Sequence, residues 1–271
     1  MKGILLVNHF LTQNKFSQLH SHLVKSAEKC GIDLVIKTNL QLACESADAD
    51  FVLFWDKDVN LARRLEKSGL PVFNSAQSIA LCDDKAKTYT ELLGVVPQPK
   101  TIAAPLSYFK SDYAPFVEAA VKQLGLPLVF KNCFGSFGEQ VFLCRSKDEV
   151  LSHIGTQPFI LQEFIAESAG RDVRIEVVGG EIVAATERIN ENDFRANVTN
   201  GGTMRQYSPN AAERKIALDA CKALGLTFGG VDILQGGILC EVNSNAHIIN
   251  IMNCTGVDIA PLILEEIKSR L

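Results

Sequence analysis

Short apolar runs alternate with helical patterns over residues 1 to about 80: GILLVN, a polar helix around Phe16 to Cys30, DLVIKTN, DFVLFW, a second helical pattern, and LPVFN. Runs of this length separated by helix-sized stretches predict a small parallel sheet with crossover helices. CDDKAKTYTELLG then reads as a helix ended by Gly94, Pro97 and Pro99. Beyond it come a helix before Gly125, the strand LPLVFKN, a glycine loop, EQVFLCR, a helix around Asp148 to Ile154, and PFILQEFI. Hairpins dominate from about residue 166, with a helix at Ala211 to Leu224 and a last one after Pro261. The pattern divides the chain into an amino-terminal α/β unit at 1–82, a small α+β unit at 83–165 and a hairpin-rich unit at 166–271.

Composition narrows the partners. A formal charge of -4 over 271 residues leaves no basic footprint for nucleic acid or an anionic membrane. No apolar run has the length of a membrane span, and MKGILLVNHF passes into polar sequence without a small-residue cleavage site. Eight cysteines without a CxxC pair, several of them inside apolar strands as at Cys144 and Cys240, predict reduced, buried thiols in place of a disulfide frame or zinc site, and a cytoplasmic protein. Cys133 and Cys254 read as packing residues.

The segment GGVDILQGGILCEVNSNAHIIN places acids among apolar residues, where an unpaired carboxylate is costly. A two-residue turn at Gly236 and Gly237 puts Asp232 opposite Glu241, and the strand period of two puts Asn243 on their face. Val231, Ile233, Cys240 and Val242 then project to an apolar face. Opposed carboxylates destabilise a sheet unless neutralised, and a hard cation with oxygen ligands, most simply Mg²⁺, would do so. A solvated strand face with incidental acids, or Asp232 and Glu241 each paired with a lysine, is the alternative.

Mg²⁺ commonly meets protein through one or two carboxylates together with substrate phosphates. VFKNCFGSFGEQVFL offers phosphate ligands: Lys131 at a strand end, then Gly135, Ser136 and Gly138, whose backbone amides can approach an anion. Neither GxxxxGK[ST] nor GxGxxG occurs. In RDVRIEVVGGEIVAATERI, a turn at Gly179 and Gly180 sets Arg171 opposite Arg188 and Asp172 opposite Glu187, like-charge pairs that need counterions. Arg188 then touches a phosphate, or the arginines, Arg174 foremost, bridge to neighbouring acids. NDFRANVTNGG carries Arg195 and Asn197 in a loop suited to an anionic ligand, or in a plain surface loop.

In chain order, DDK, VFK with its glycine loop, ILQEFI, GRDVR, TERI, DFRAN, GGVDIL and CEVN resemble the ATP-grasp superfamily, and most closely its RimK-type carboxylate-amine ligases. The resemblance covers residues 80 to 271. It implies an α/β (α+β) ATP-grasp fold, with a small parallel-sheet amino-terminal domain and two α+β subdomains enclosing the nucleotide. It implies ATP and Mg²⁺ as cofactors, with Mn²⁺ as a substitute. Lys85 and Lys131 match the lysines that reach ATP phosphates, Gly135, Ser136 and Gly138 the lid, and Gln162, Glu163, Phe164 and Ile165 the strand holding adenine and ribose. Asp172 matches the acid near the ribose, Arg188, Arg195 and Asn197 the residues around the γ-phosphate and acyl phosphate, and Asp232, Glu241 and Asn243 the Mg²⁺ ligands. Two departures fall where substrate would sit: Asn245, Ala246 and His247 replace a common Ser-Pro-Gly, and Asn200 replaces an arginine.

The activity implied is ATP-dependent amide formation, with ADP and phosphate as products and a small-molecule or protein carboxylate and an amino acid or amine as partners. A dipeptide ligase of the D-alanine type and a regulatory nucleotide-binding module are the alternatives; self-association is left open. His247 either contacts substrate and takes a proton or is hydrogen-bonded in its loop. His20 and His22 are a metal pair or two surface histidines.

Overall fold

A computed structural model describes residues 1–107, 111–135, 138–198 and 201–271. The amino-terminal apolar runs form four parallel strands, β1 (Lys2–Val7), β2 (Asp33–Thr38), β3 (Phe51–Trp55) and β4 (Val72–Phe73), in the order β2-β1-β3-β4. Every residue of β3, and every residue of β1 after its first two, is buried, because helices cover both faces of the sheet. Leu5, Val7, Leu53 and Trp55 pack towards α1 (Asn14–Lys29), whereas Ile4, Leu6, Val52 and Phe54 pack towards α2 (Asn39–Cys44), α3 (Val59–Lys67) and α4 (Ala76–Asp83). The stretch expected to form one helix around Lys85 is broken at Asp84. The Asp84 carboxylate accepts from the amides of Ala86 and Lys87 and so starts a separate α5 (Lys85–Glu91).

A second, antiparallel sheet contains β5 (Thr101–Ala103), β6 (Leu128–Asn132), β7 (Val141–Cys144) and β8 (Phe159–Glu163), in the order β5-β8-β6-β7. Its core faces α6 (Ala114–Leu124) and α7 (Lys147–His153). The third sheet is also antiparallel, in the order β11-β10-β9-β12-β13, built from β9 (Arg171–Val178), β10 (Glu181–Ile189), β11 (Thr203–Gln206), β12 (Phe228–Leu234) and β13 (Ile238–Asn243). Val173, Ile175, Val177, Val231 and Ile233 bury against α8 (Ala211–Ala223). The period of two therefore leaves Asp172, Arg174, Glu176 and Asp232 on the opposite face.

The first and third sheets share a core. α9 (Ile248–Thr255) and α10 (Ile259–Ser269) pack with α1 and with Val178, Ala184 and Phe228, and Trp55 stacks on Phe228 with ring centroids 5.5 Å apart. The fully buried Asn74 locks this junction. Its amide donates to the carbonyls of Phe228 and Ser244, both at 2.8 Å, and its oxygen accepts from Thr227 N at 2.7 Å.

Two bulges alter the strand registers predicted above. Gly179 and Gly180 form the expected two-residue turn with positive φ, pairing Val178 with Glu181. Val183 then has no opposite partner, and past it Arg188 faces Asp172 and Glu187 faces Val173. The like-charge pairs Arg171/Arg188 and Asp172/Glu187 therefore do not form. In the other hairpin Leu234 pairs with Ile238, so the turn spans Gln235, Gly236 and Gly237, and a bulge at Cys240 restores Asp232 opposite Glu241. Leu239, in the place predicted for Cys240, enters the apolar core.

Candidate active site

A cleft between the second and third sheets gathers most of the residues singled out from sequence. Lys85 at the start of α5 and Lys131 near the end of β6 enter it, as do Gly135 and Gly138 from the glycine loop. Lys85 Nζ donates to Gly135 O at 3.3 Å, tying the helix to that loop. Gln162 and Glu163 end β8 and lead into Phe164 and Ile165, all four lining the cleft. Gln162 Nε2 donates to Thr101 Oγ1 at 2.8 Å, and the Glu163 carboxylate accepts from Lys100 N at 2.7 Å. Asp172, Arg195, Asn197 and Glu241 also line it. Ser136 and Asn200 lie outside the described residues.

Backbone geometry brings the 190–197 loop to the cleft. Gly170 N donates to Phe194 O and Asn190 N to Gly170 O, each at 2.8 Å. Gly170 has φ +68°, and a Cβ there would lie 2.1 Å from Asn190 O, so only glycine permits this approach. Arg195 is pinned from two sides: its guanidinium pairs with Asp193 at 2.6 Å and donates to the carbonyl of Gly138. The hydrogen bond from Arg195 holds the Asp193 carboxyl below its ordinary range.

Behind the cleft lies a buried charge network on β9, β10 and β12. Arg188 grips Asp172 through two bonds of 2.7 and 2.6 Å, and Arg174 grips Asp232 through two of 2.6 and 2.7 Å. Arg188 also reaches Asp232 Oδ2 at 2.9 Å. Two guanidiniums thus balance two carboxylates where isolated charges would be prohibitive. Burial opposes ionisation of Asp232, but Arg174 and Arg188 outweigh it and hold the carboxyl below its usual range. Glu176, on the same face, has one carboxylate oxygen buried without a partner among the described residues, and burial pushes its carboxyl up to about 7.

This network revises the metal argument. Asp232 is only 2 % exposed, and both its oxygens are engaged by arginine, so its countercharge is internal and no cation is required to offset an Asp232–Glu241 repulsion. Among the described residues, no group of three His, Cys, Asp or Glu side chains is arranged as a metal cluster. Glu241 and Asn243 fit a cation better. Glu241 opens onto the cleft, and Asn243 follows it by two on the same strand; its side-chain oxygen is the atom that could meet a cation, while its side-chain nitrogen, a donor, is buried without a partner among the described residues.

A second cavity of about 490 Å³ adjoins the cleft and shares Asn197 and Glu241 with it. Arg174, Arg188, Asn243, Asn245, Ala246 and His247 line this cavity. Asn8 and Asp56, from the loops after β1 and β3, line it too. Sequence reasoning passed over Asp56, although an acid directly after the buried strand FVLFW, at the carboxyl end of a parallel sheet, was a usable signal. Cys240, expected on the apolar face, instead lines the cleft, and burial raises its thiol to about 11. His20 and His22 do not form a pair, since residues two apart on a helix point apart. His22 binds Asp258 at 2.8 Å, whereas His20 faces the second cavity.

Comparison with known proteins accords with this architecture. Residues 82–267 match the model of the RimK-like ATP-grasp domain. A probable alpha-L-glutamate ligase of Coxiella burnetii is 35% identical over 217 residues, covering 77% of this chain and 70% of that protein. Beta-citrylglutamate synthase B of Danio rerio is 32% identical over 226 residues, 80% of this chain but 55% of the synthase, so the chain spans little more than half that relative's length. The crystal structure of a RimK domain ATP-grasp protein from Sphaerobacter thermophilus superposes with a TM-score of 0.75 at 20% identity, covering 98% of this chain and 99% of that one. With the parallel amino-terminal sheet, the two antiparallel sheets and the cleft between them, these matches establish that the chain belongs to the RimK-like ATP-grasp family of carboxylate-amine ligases.

Proposed function

We propose that the protein joins a carboxylic acid to an amine at the expense of ATP, through an acyl phosphate, releasing ADP and phosphate. The meeting of the two cavities at Asn197 and Glu241 carries this reading. A nucleotide along Gln162 to Ile165 would direct its phosphates towards Lys85, Lys131, Gly135 and Gly138, and its terminal phosphate towards the second cavity. An acid held there by Arg174 and Arg188 would have its carboxylate beside that phosphate. The two lysines contribute compact positive charge; Arg188 and Arg195 contribute guanidiniums already oriented by Asp172 and Asp193, so little reorganisation accompanies phosphoryl transfer. This supports Asp172 as the group that aims Arg188 more than as a ribose ligand.

Mg²⁺, or Mn²⁺ in its place, would be held by Glu241 and Asn243 and would neutralise phosphate charge. A carboxylate is a poor acylating agent because its leaving group is poor; once phosphorylated, it loses phosphate when an amine attacks. Positioning and charge neutralisation suffice, and no side-chain nucleophile is needed. The names of the relatives support L-glutamate as the first amine to try, with citrate among the acids. No described helix is long and apolar enough to cross a membrane, which accords with a cytoplasmic setting for the reduced cysteines.

Oxygen labelling tests the route. With both carboxylate oxygens of the acid labelled, one label should leave in the phosphate, and ADP should appear in proportion to amide. Arg195→Ala should lose the transfer while still binding ATP. AMP as the nucleotide product, or phosphate without label, would overturn the proposal.

A further inference from the structure

Asn8 and Asp56 stand just beyond the carboxyl ends of β1 and β3. These strands are neighbours, and the chain leaves them for opposite sides of the sheet, since β2 lies beyond β1 and β4 beyond β3. Such a switch point opens a crevice, the usual ligand position in open α/β sheets. Here Asn8 and Asp56 both line the second cavity, which shares Asn197 and Glu241 with the nucleotide cleft.

Two groups on this cavity have unmet hydrogen bonds of the same kind. Asp56 is 6 % exposed; its Oδ1 accepts from Asn8 Nδ2 at 2.9 Å, but Oδ2 is buried without a partner among the described residues. His247, at the start of α9, bonds through Nε2 to the Lys15 carbonyl at 3.3 Å. A carbonyl can only accept, so the ring proton lies on Nε2 and Nδ1 keeps its lone pair; Nδ1 is also buried and without a partner among the described residues. Burial, reinforced by the Lys15 charge, keeps the imidazole neutral at lower pH than an exposed histidine. Unpaired buried acceptors are costly, so the complement to this pair is a ligand that donates hydrogen bonds and carries positive charge. An ammonium group meets both conditions.

We propose that Asp56 and His247 form the amine subsite of the ligation, an inference that rests on the function proposed above. Asp56 Oδ2 receives the substrate ammonium, and His247 Nδ1 takes one of its protons. The freed amine attacks the acyl carbon; the new C–N bond forms as the C–O bond to phosphate breaks, its electron pair leaving with the phosphate oxygen. A second proton passes from nitrogen to the departing phosphate, which leaves as hydrogen phosphate, and the proton on His247 is released to water. Asp56 governs binding and His247 the attack.

Two nucleophiles separate these roles from the earlier chemistry. Hydroxylamine is small and uncharged, needs no ammonium site, and reports the acyl phosphate as a hydroxamate. An amino-acid panel headed by L-glutamate reports the subsite. With an acid that the wild type activates, Asp56→Asn should form hydroxamate within twofold of wild type, while the KM for the accepted amino acid rises at least tenfold. His247→Gln should lower kcat with that amino acid at least tenfold, with KM little changed and hydroxamate formation retained. An unchanged amino-acid KM in Asp56→Asn overturns the subsite, as does an equal loss of hydroxamate and amide at an unchanged melting temperature. If Asp56→Asn fails to fold, His247→Gln decides alone: wild-type kcat with the amino acid, or equal loss with both nucleophiles, overturns the proposal. A wild type that makes no hydroxamate with any acid in the presence of ATP and Mg²⁺ refutes the ligase reading itself, a result distinct from either variant's.

Discussion

A buried carboxylate between two buried guanidiniums is stable only while all three remain charged and aligned. Asp232 is in that position, whereas Glu241, directly across the strand pair, faces the cleft. The two acids should therefore respond differently to loss of charge. Asp232→Asn leaves Arg174 and Arg188 short of a counterion and should cost about 3–5 kcal/mol of stability in chemical denaturation. Glu241→Gln should unfold at nearly the wild-type denaturant concentration and yet lose ATP-dependent turnover, because it removes a ligand charge that the fold does not use. Equal stability of the two variants would show that Asp232 does not anchor the arginines.

Register is an element-scale property, and in both long hairpins it depends on one extra residue. Val183 shifts β10 by one position relative to its turn, and this shift exchanges an arginine facing an arginine for Arg188 facing Asp172. Deleting Val183 should therefore do more than remove one apolar side chain. It would rotate the remainder of β10 to the wrong face or force the turn to absorb the change, breaking the Asp172–Arg188 pair in either case. Circular dichroism and thermal melting should show a loss of at least about 3 kcal/mol, the scale of a broken buried pair. Val183→Ala keeps the register and should cost about 1 kcal/mol or less, since Val183 is only partly buried. Comparable losses in the two variants would refute a register role for the bulge.

At the scale of the molecule, the second cavity exists because the amino-terminal sheet is fixed against the ends of β12 and β13. Asn74 makes the polar connection and Trp55 on Phe228 the apolar one. Asn74→Ala strands two carbonyls and an amide in a buried junction and should destabilise the protein by about 2–4 kcal/mol, several unsatisfied groups at about 1–3 each. Because Asp56 and His247 approach the cavity from opposite sides of that junction, the variant should also lose more turnover with an amino acid than with hydroxylamine. Wild-type stability in urea unfolding would exclude Asn74 as the lock.

Local chemistry made much of this protein legible from its residues. Apolar runs of strand length separated by helical periods specify the parallel sheet and its crossovers, and glycine pairs specify the turns. The ordered series from Lys85 to Asn243 carries the family resemblance and names most of the cleft lining. Such features depend on neighbours within a few residues, or on chain order, and the sequence contains both. The bulges at Val183 and Cys240 were not legible, because an extra residue in a strand is decided by how the whole sheet packs and not by its own side chain. The partners of Asp232 were hidden for the same reason: Arg174 and Arg188 reach it only once β9, β10 and β12 lie side by side in the observed register. Asp56 and His247 are 191 positions apart in the chain. Only the packing of the first sheet against the third sets their unpaired acceptors on one cavity, since long-range contacts follow from burying apolar surface between elements and leave no local mark in the sequence.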